Sequence, residues 1–281
     1  MIKSRSILQP ITSLETMPII HPEVGIAPDP NAVLWRYMEL DRFHSLLERK
    51  ALFFCRADKF ADPFEGSLPR VEFDYRPKSQ RAASAFYGNT PTDEQVAESI
   101  AGLTHEHLEF RRRHVVNCWH INSNESDAMW RLYLKSNEGV AIQTTAKRLM
   151  NALAGIDAEV DISKVRYIDY DKDCFHHAQD YDHRSYNLFM PLVHKRNEFV
   201  HERELRLIHE VNDARVNKDF WTTQEFEQGM FIEIDLGVLI DKIILPPTSD
   251  DAVRMKAENI ARSLGYSLRF EKSTLAKPAL F

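Results

Sequence analysis

Between Leu188 and Glu210 the hydrophobic period of the chain changes, and that change limits what can be built around it. Leu188, Phe189, Leu192, Val193 and Phe199 are spaced mostly for one face of a helix, so a helix is expected from Leu188 to Phe199. From Glu204 the pattern alternates. Leu205 and Leu207 point one way and Glu204 and Arg206 the other, as in a half-buried strand. Glu202 and Glu204 sit at the changeover, and they share a face if the strand begins by Glu202. Like charges so close raise the cost of ionising both. Such a pair suits an acid, a base or a group that stabilises a cation. The competing reading is a solvated strand edge with Arg203 and Arg206 as partners.

The 281 residues, 43% of them apolar, suffice for one large domain or two small ones with a sizeable core. A net charge of −6 argues against general nucleic-acid binding, although a local basic patch stays open. Cys55, Cys118 and Cys174 are widely spaced. They lack the pattern of a disulfide framework or a four-cysteine zinc site, which fits a reducing cytoplasm. No apolar run reaches membrane-spanning length, and none at the N-terminus reads as a secretory signal.

Met1–Asn31 holds five of the thirteen prolines and no sustained period. It is expected to be an extended arm (1–31) ahead of a single α+β domain (32–281). Strands are expected at Ala32–Met38, Ala51–Arg56, Val115–His120, Gly139–Thr144, Ser163–Ile168, Gly229–Ile234, Lys242–Leu245 and Ser267–Glu271. Helices are expected after Leu40, after an N-cap at Thr92, and over Ala128–Leu134, Thr145–Ala154 and Asp250–Leu264. The loop Ala57–Pro69 interleaves aromatic rings with charges, which is unusual for a plain connector. Val71–Pro91 reads as an irregular surface excursion, and Asp169–Tyr186 as a His-rich loop. No internal repeat or Gly-rich phosphate loop is present. Strands in irregular order with helices between them favour an α+β fold: a mixed, mostly antiparallel sheet core flanked by helices.

Several long segments resemble the bacterial domain-of-unknown-function 2971 family. They include Leu34-Trp35-Arg36-Tyr37-Met38, Phe54 to Gly66, Cys118-Trp119-His120, Glu125 to Tyr133, Glu138 to Ile142 and Lys195 to Arg206. The resemblance runs from about Val33 to the C-terminus. It implies a bacterial or phage-associated accessory protein, with a role in defence. A second resemblance is to ADP-ribosyltransferases of the arginine–serine–glutamate type. Arg36 lies on an early strand, Thr144 and Thr145 end a middle strand, and Glu202-Arg203-Glu204 is similar to the Glu-x-Glu motif. The triplet here, Gln143-Thr144-Thr145, has no serine. This resemblance implies an ADP-ribosyltransferase-like fold with NAD as substrate and a protein target of modification.

The chemistry is coherent with that resemblance. Breaking the bond between nicotinamide and ribose builds positive charge on the sugar, which Glu204 or Glu202 could stabilise. A guanidinium grips a pyrophosphate bidentately. Phe60, Phe64 or Trp130 could stack on nicotinamide. Trp119, His120, Ser126, Asp127, Trp130, Arg131 and Tyr133 make a second candidate wall, or else a core with a capped helix. Arg36, Arg56, Arg131, Lys195, Arg196 and Arg206 could bind a small anionic or nucleotide ligand. They could equally balance Asp58, Asp62, Glu65, Asp127, Glu202 and Glu204 in a structural network. Glu198 and His201 have the spacing of a metal-binding pair, but no second pair accompanies them and no metal is expected. The expectation is a cleft lined by Arg36, the Asp58–Glu65 loop, Trp119–Tyr133 and Glu202/Glu204. The alternative is a non-catalytic sensor or partner-binding module. Oligomeric state is not legible.

Overall fold

The computed structural model describes residues 25–175, 189–211 and 226–280. Val33–Glu39 forms strand β1, and Leu40–Arg49 forms helix α1, which buries Leu40, Phe43, Leu46 and Leu47. Ala51–Arg56 is β2, Arg70–Phe86 is α2 and Asp93–Arg113 is α3. His114–Ile121 is β3, Asp127–Tyr133 is α4, Gly139–Thr145 is β4 and Ala146–Ala152 is α5. Asp161–Lys164 is β5, Arg166–Ile168 is β6, His194–Arg196 is β7 and Glu204–Glu210 is β8. Gly229–Glu233 is β9, Leu236–Leu239 is α6, Lys242–Leu245 is β10, Asp251–Ser263 is α7 and Phe270–Lys272 is β11.

Nine strands form one sheet in the order β11-β10-β4-β1-β3-β2-β9, with β8 on β3 and β5 on β8. Among its described strands only β10 and β11 run parallel. The fold is therefore α+β with a mixed, mostly antiparallel sheet. Strands β6 and β7 make a separate parallel pair.

The sheet is split beside β3. One edge of β3 carries β8 across His114–His120. Residues Val115, Val116 and His120 also pair with β2 or β1, so those two strands must share the opposite edge. β1 takes that edge at His120 and Ile121, and β2 takes it at Val115 and Val116. Among the described residues, Asn117, Cys118 and Trp119 are left between them without a strand partner there. Helix α1 links the end of β1 to the start of β2.

Alternation assigns the two faces. Leu34, Met38, Leu52, Phe54, Val115, Trp119, Leu205 and Leu207 belong to the main core beneath α1, α5 and α7. The opposite face carries two smaller apolar clusters. One holds Trp35, Tyr37, Met129 and Trp130, and the other holds Val116, Ile208, Phe110 and Leu192. The ground between these clusters lies over the split.

Three expectations are corrected. Leu188–Phe199 is not one continuous helix among the described residues: Met190–Leu192 and Asn197–Glu202 are short 3-10 helices, and His194–Arg196 between them is strand β7. Its pairing with β6 is long-range and overrides the local spacing. Val71–Pro91 is mostly helix α2. It is held by polar contacts to α3, with Ser99 donating to Gln80 at 2.8 Å and Arg76 donating to Thr104 at 3.0 Å, and it buries only Glu72. Ser163–Ile168 is two strands broken at Val165, whose N–H donates to the Glu204 carbonyl at 2.9 Å.

Other local readings agree with the structure. Thr92 caps α3 in a reciprocal box with Gln95, and Asp250 caps α7. Of the proposed arm, residues 1–24 lie outside the described residues. Ile26 is tied to β5, its N–H donating to Ser163 and its carbonyl accepting from Lys164, both at 2.9 Å.

Candidate functional site

A cavity of about 440 Å³ opens over the split. Its floor is the unpaired stretch of β3, and its walls come from β1, β2, α1, α4 and the turn before β8. Arg36, Phe60, Trp119, His120, Glu202 and Glu204 all line it, so the distant basic and acidic side chains do share one hollow. The alternation places Arg36 toward the α1 face, yet its head group turns into the gap. There it donates to the free Cys118 carbonyl at 2.5 Å and lies 5.8 Å over the Trp119 ring. Burial pulls the guanidinium below its ordinary value, and among the described residues no carboxylate pairs with it.

The acidic wall rests on a buried charge cluster. Lys195 Nζ lies 2.7 Å from Glu204, 2.8 Å from Glu202 and 3.3 Å from Glu65. Arg206 donates to Glu204 at 2.7 Å, to the Leu192 carbonyl at 2.8 Å and to Glu65. Phe60 covers this guanidinium at 5.3 Å. Glu202 is not on the strand. It ends the 3-10 turn, and Arg203 follows at φ 42°, a left-handed value unusual for a bulky residue. That reversal brings both carboxylates to one lysine.

The cluster holds one more carboxylate than cation. Burial and the hydrogen-bonded charge of Glu204 push Glu202 up to about 7, against the pull of Lys195. Burial pushes Glu204 up too, but Arg206, Glu202 and Lys195 together carry it well below the usual carboxylate range. Lys195, although desolvated, is held above its ordinary value by Glu204 and Glu65. A proton on Glu202 balances the cluster.

This fixes a sign. The raised value of Glu202 favours folding below its ordinary pKa, and that contribution is lost as pH rises through about 7. The depressed value of Glu204 does the reverse and is lost only in strong acid. Glu202→Gln mimics the protonated form permanently. Its melting temperature relative to the unmodified protein should therefore rise between about pH 5 and pH 8, read by calorimetry. A constant difference across that range would contradict the assignment.

Two buried polar atoms of cavity-lining residues, His120 Nε2 and Trp119 Nε1, have no hydrogen-bond partner among the described residues. His120 Nδ1 is 2.7 Å from the Glu202 carbonyl oxygen, which only an N–H can satisfy. Burial pushes the Cys118 thiol well above its ordinary value, which removes it as a thiolate nucleophile at neutral pH.

The remaining sequence candidates lie elsewhere. Arg56 pairs with Asp58 at 2.7 Å, and Asp62 is buried against Arg196 at 2.9 Å. Phe64 faces a second groove beside Tyr170, at a ring distance of 5.4 Å. Ser126 caps α4, and Trp130 packs in the core with its indole N–H donating to Glu125 at 3.0 Å. Asp127 and Arg131 form an exposed pair one helical turn apart, with Arg131 80% exposed. Thr144 faces the main core, where its hydroxyl donates to the Leu239 carbonyl, so it does not join the cavity. Lys195 and Arg206 stand behind the carboxylates rather than on the wall. Among the described residues no group of three or more His, Cys, Asp or Glu is placed to hold a metal ion, and His176, His177 and His183 lie outside them.

The sequence reading passed over Tyr37, Phe53, Phe231 and Arg42 on the wall. Phe53 had a signal: in β2 it alternates with the core residues Leu52 and Phe54. Comparison of the chain with family models, curated proteins and solved structures gave no match.

Proposed function

We propose that this cavity binds a nucleotide-like anion, and that its reaction is NAD-dependent ADP-ribosyl transfer or NAD cleavage. The supporting observation is Arg36, a half-buried guanidinium with no carboxylate partner among the described residues, on the same wall as Glu202 and Glu204. Such a cation is costly unless a ligand supplies the negative charge. The pyrophosphate would take Arg36. The bond from the ribose carbon to the nicotinamide nitrogen would break, and water or a target side chain would form the new bond and pass its proton to the ionised form of Glu202, populated as pH rises through about 7. The fixed charge of Glu204 would stabilise the sugar cation. No helix among the described residues is long and apolar enough to cross a membrane. The resemblance to domain-of-unknown-function 2971 proteins supports a role in bacterial or phage defence.

A second reading has one observation in its favour. Both oxygens of Glu204 are already taken, by Lys195 and Arg206, as in the structural network of a non-catalytic sensor or partner-binding module. The test is a thermal-shift screen against NAD, ADP-ribose and ATP, with and without divalent metal, on the unmodified protein and Arg36→Gln. The substitution breaks no ion pair, so its melting temperature should stay near that of the parent. Its affinity for NAD should fall about 10- to 100-fold through loss of a charged hydrogen bond. No stabilisation by any nucleotide, or equal binding by the variant, leaves the partner-binding reading.

A further inference from the structure

A second groove, of about 440 Å³, lies between α2, α3 and the loop at Phe64. It shares no lining residue with the cavity over the split. Each helix turns one face into it: Arg70, Phe73 and Arg76 from α2, and Thr104, Leu108 and Arg111 from α3, at three- and four-residue spacings. Short contacts tie the lining together. Arg76 donates across to Thr104 at 3.0 Å, the Arg70 backbone N–H donates to the Tyr170 carbonyl at 2.7 Å, and the Tyr170 and Phe64 rings lie 5.4 Å apart.

Two properties set this lining apart from an ordinary solvated face. The first is apolar surface. Phe73 is 55% exposed, Leu108 47% and Phe64 38%, and all three border the one groove. Single exposed apolar side chains are normal, but a group of them rimmed by polar residues marks an interaction site. The second is charge. Three guanidinium groups and one carboxylate, Asp171, line the groove of a chain whose net charge is −6. Arg70 is engaged by Asp74 at 2.8 Å. Among the described residues, Arg76 has only the neutral Thr104 hydroxyl as a hydrogen-bond partner, and Arg111 only the Ala57 carbonyl at 3.5 Å. A small anion would leave Phe73 and Leu108 in water. A purely apolar guest would strip water from the arginines and return nothing. The complement of this groove carries both features.

We propose that the α2–α3 groove docks an acidic peptide segment of a partner protein. Its large apolar side chain lies against Phe73 and Leu108, and its carboxylates face the guanidinium groups of α2. The proposal does not depend on the nucleotide reading.

The experiment is selection from a displayed library of random peptides on the full chain, followed by fluorescence anisotropy with a synthetic peptide of the selected sequence. The selected peptides should share acidic residues beside a Phe, Trp or Leu. Affinity should fall about tenfold or more in Phe73→Ser and in Arg76→Glu, and it should weaken with added salt. Arg131→Glu reverses an exposed charge elsewhere and should bind as the parent does. Amide NMR of the unmodified protein gives a readout that does not depend on the variants: the peptide should move resonances of α2 and α3 and leave those of β4 in place. Selected peptides without acidic residues, equal binding by Phe73→Ser and Arg76→Glu, or shifts away from α2 and α3 overturn the proposal. So do dimers of the unmodified protein that dissociate in Phe73→Ser, seen by ultracentrifugation, which would give the groove to a second copy of the chain.

Discussion

Arg206→Met is expected to destabilise the protein by about 3–5 kcal/mol, the loss typical of a buried charge deprived of its partner. Arg206 is 0% exposed and serves Glu204, Glu65 and the Leu192 carbonyl at once. Without it, Lys195 alone faces three carboxylates. Methionine fills much of the volume and stacks acceptably on Phe60, so lost packing contributes little. The denaturation midpoint in urea should drop with little change in slope. Removing the exposed Arg131 should alter stability by less than about 1 kcal/mol, because both members of its pair are largely in water. A change below about 1 kcal/mol for Arg206→Met would mean that the cluster is far better hydrated than its burial implies.

Glu202→Gln should cut NAD turnover about 10²- to 10⁴-fold, the range for losing a general acid or base, while the fold at neutral pH is kept. The glutamine keeps the shape and hydrogen-bonding reach of the protonated acid but cannot take a proton. Glu204→Gln is the less informative variant. With Lys195 and Arg206 both bound to Glu204, it should fall with the destabilising changes. Turnover of NAD by Glu202→Gln at the rate of the parent, with the melting temperature preserved, would remove Glu202 from the chemistry.

The sequence carried local information well and long-range information poorly. Apolar runs revealed β1, β2 and β4, and alternation revealed β8, because each buries one face or both against the core. Thr92 announced its helix through capping, which is a property of four adjacent residues. Helix α2 was hidden because its partner is the polar side of α3 and it contains Pro77. The misreading of 188–199 has the same origin, since only pairing with Arg166–Ile168 makes His194–Arg196 a strand. In the site, Arg36, Glu202 and Glu204 were legible as charges on otherwise apolar elements. The split that brings them together was not, because it arises where β1 and β2 compete for one edge of β3. Trp130 and Thr144 went astray for a related reason: residue type suggested a ligand wall, whereas strand parity and helix packing turn both inward.

The two lips of the opening, β1 and β2, are consecutive in the chain and joined by a single ten-residue helix. That helix is nailed to the main core by Phe43, Leu46 and Leu47. The lips cannot spread unless it slides across side chains packed nearly as densely as a crystal. The mouth therefore behaves as a rigid gauge, passing or refusing a guest by girth, and whatever enters must already be slim enough.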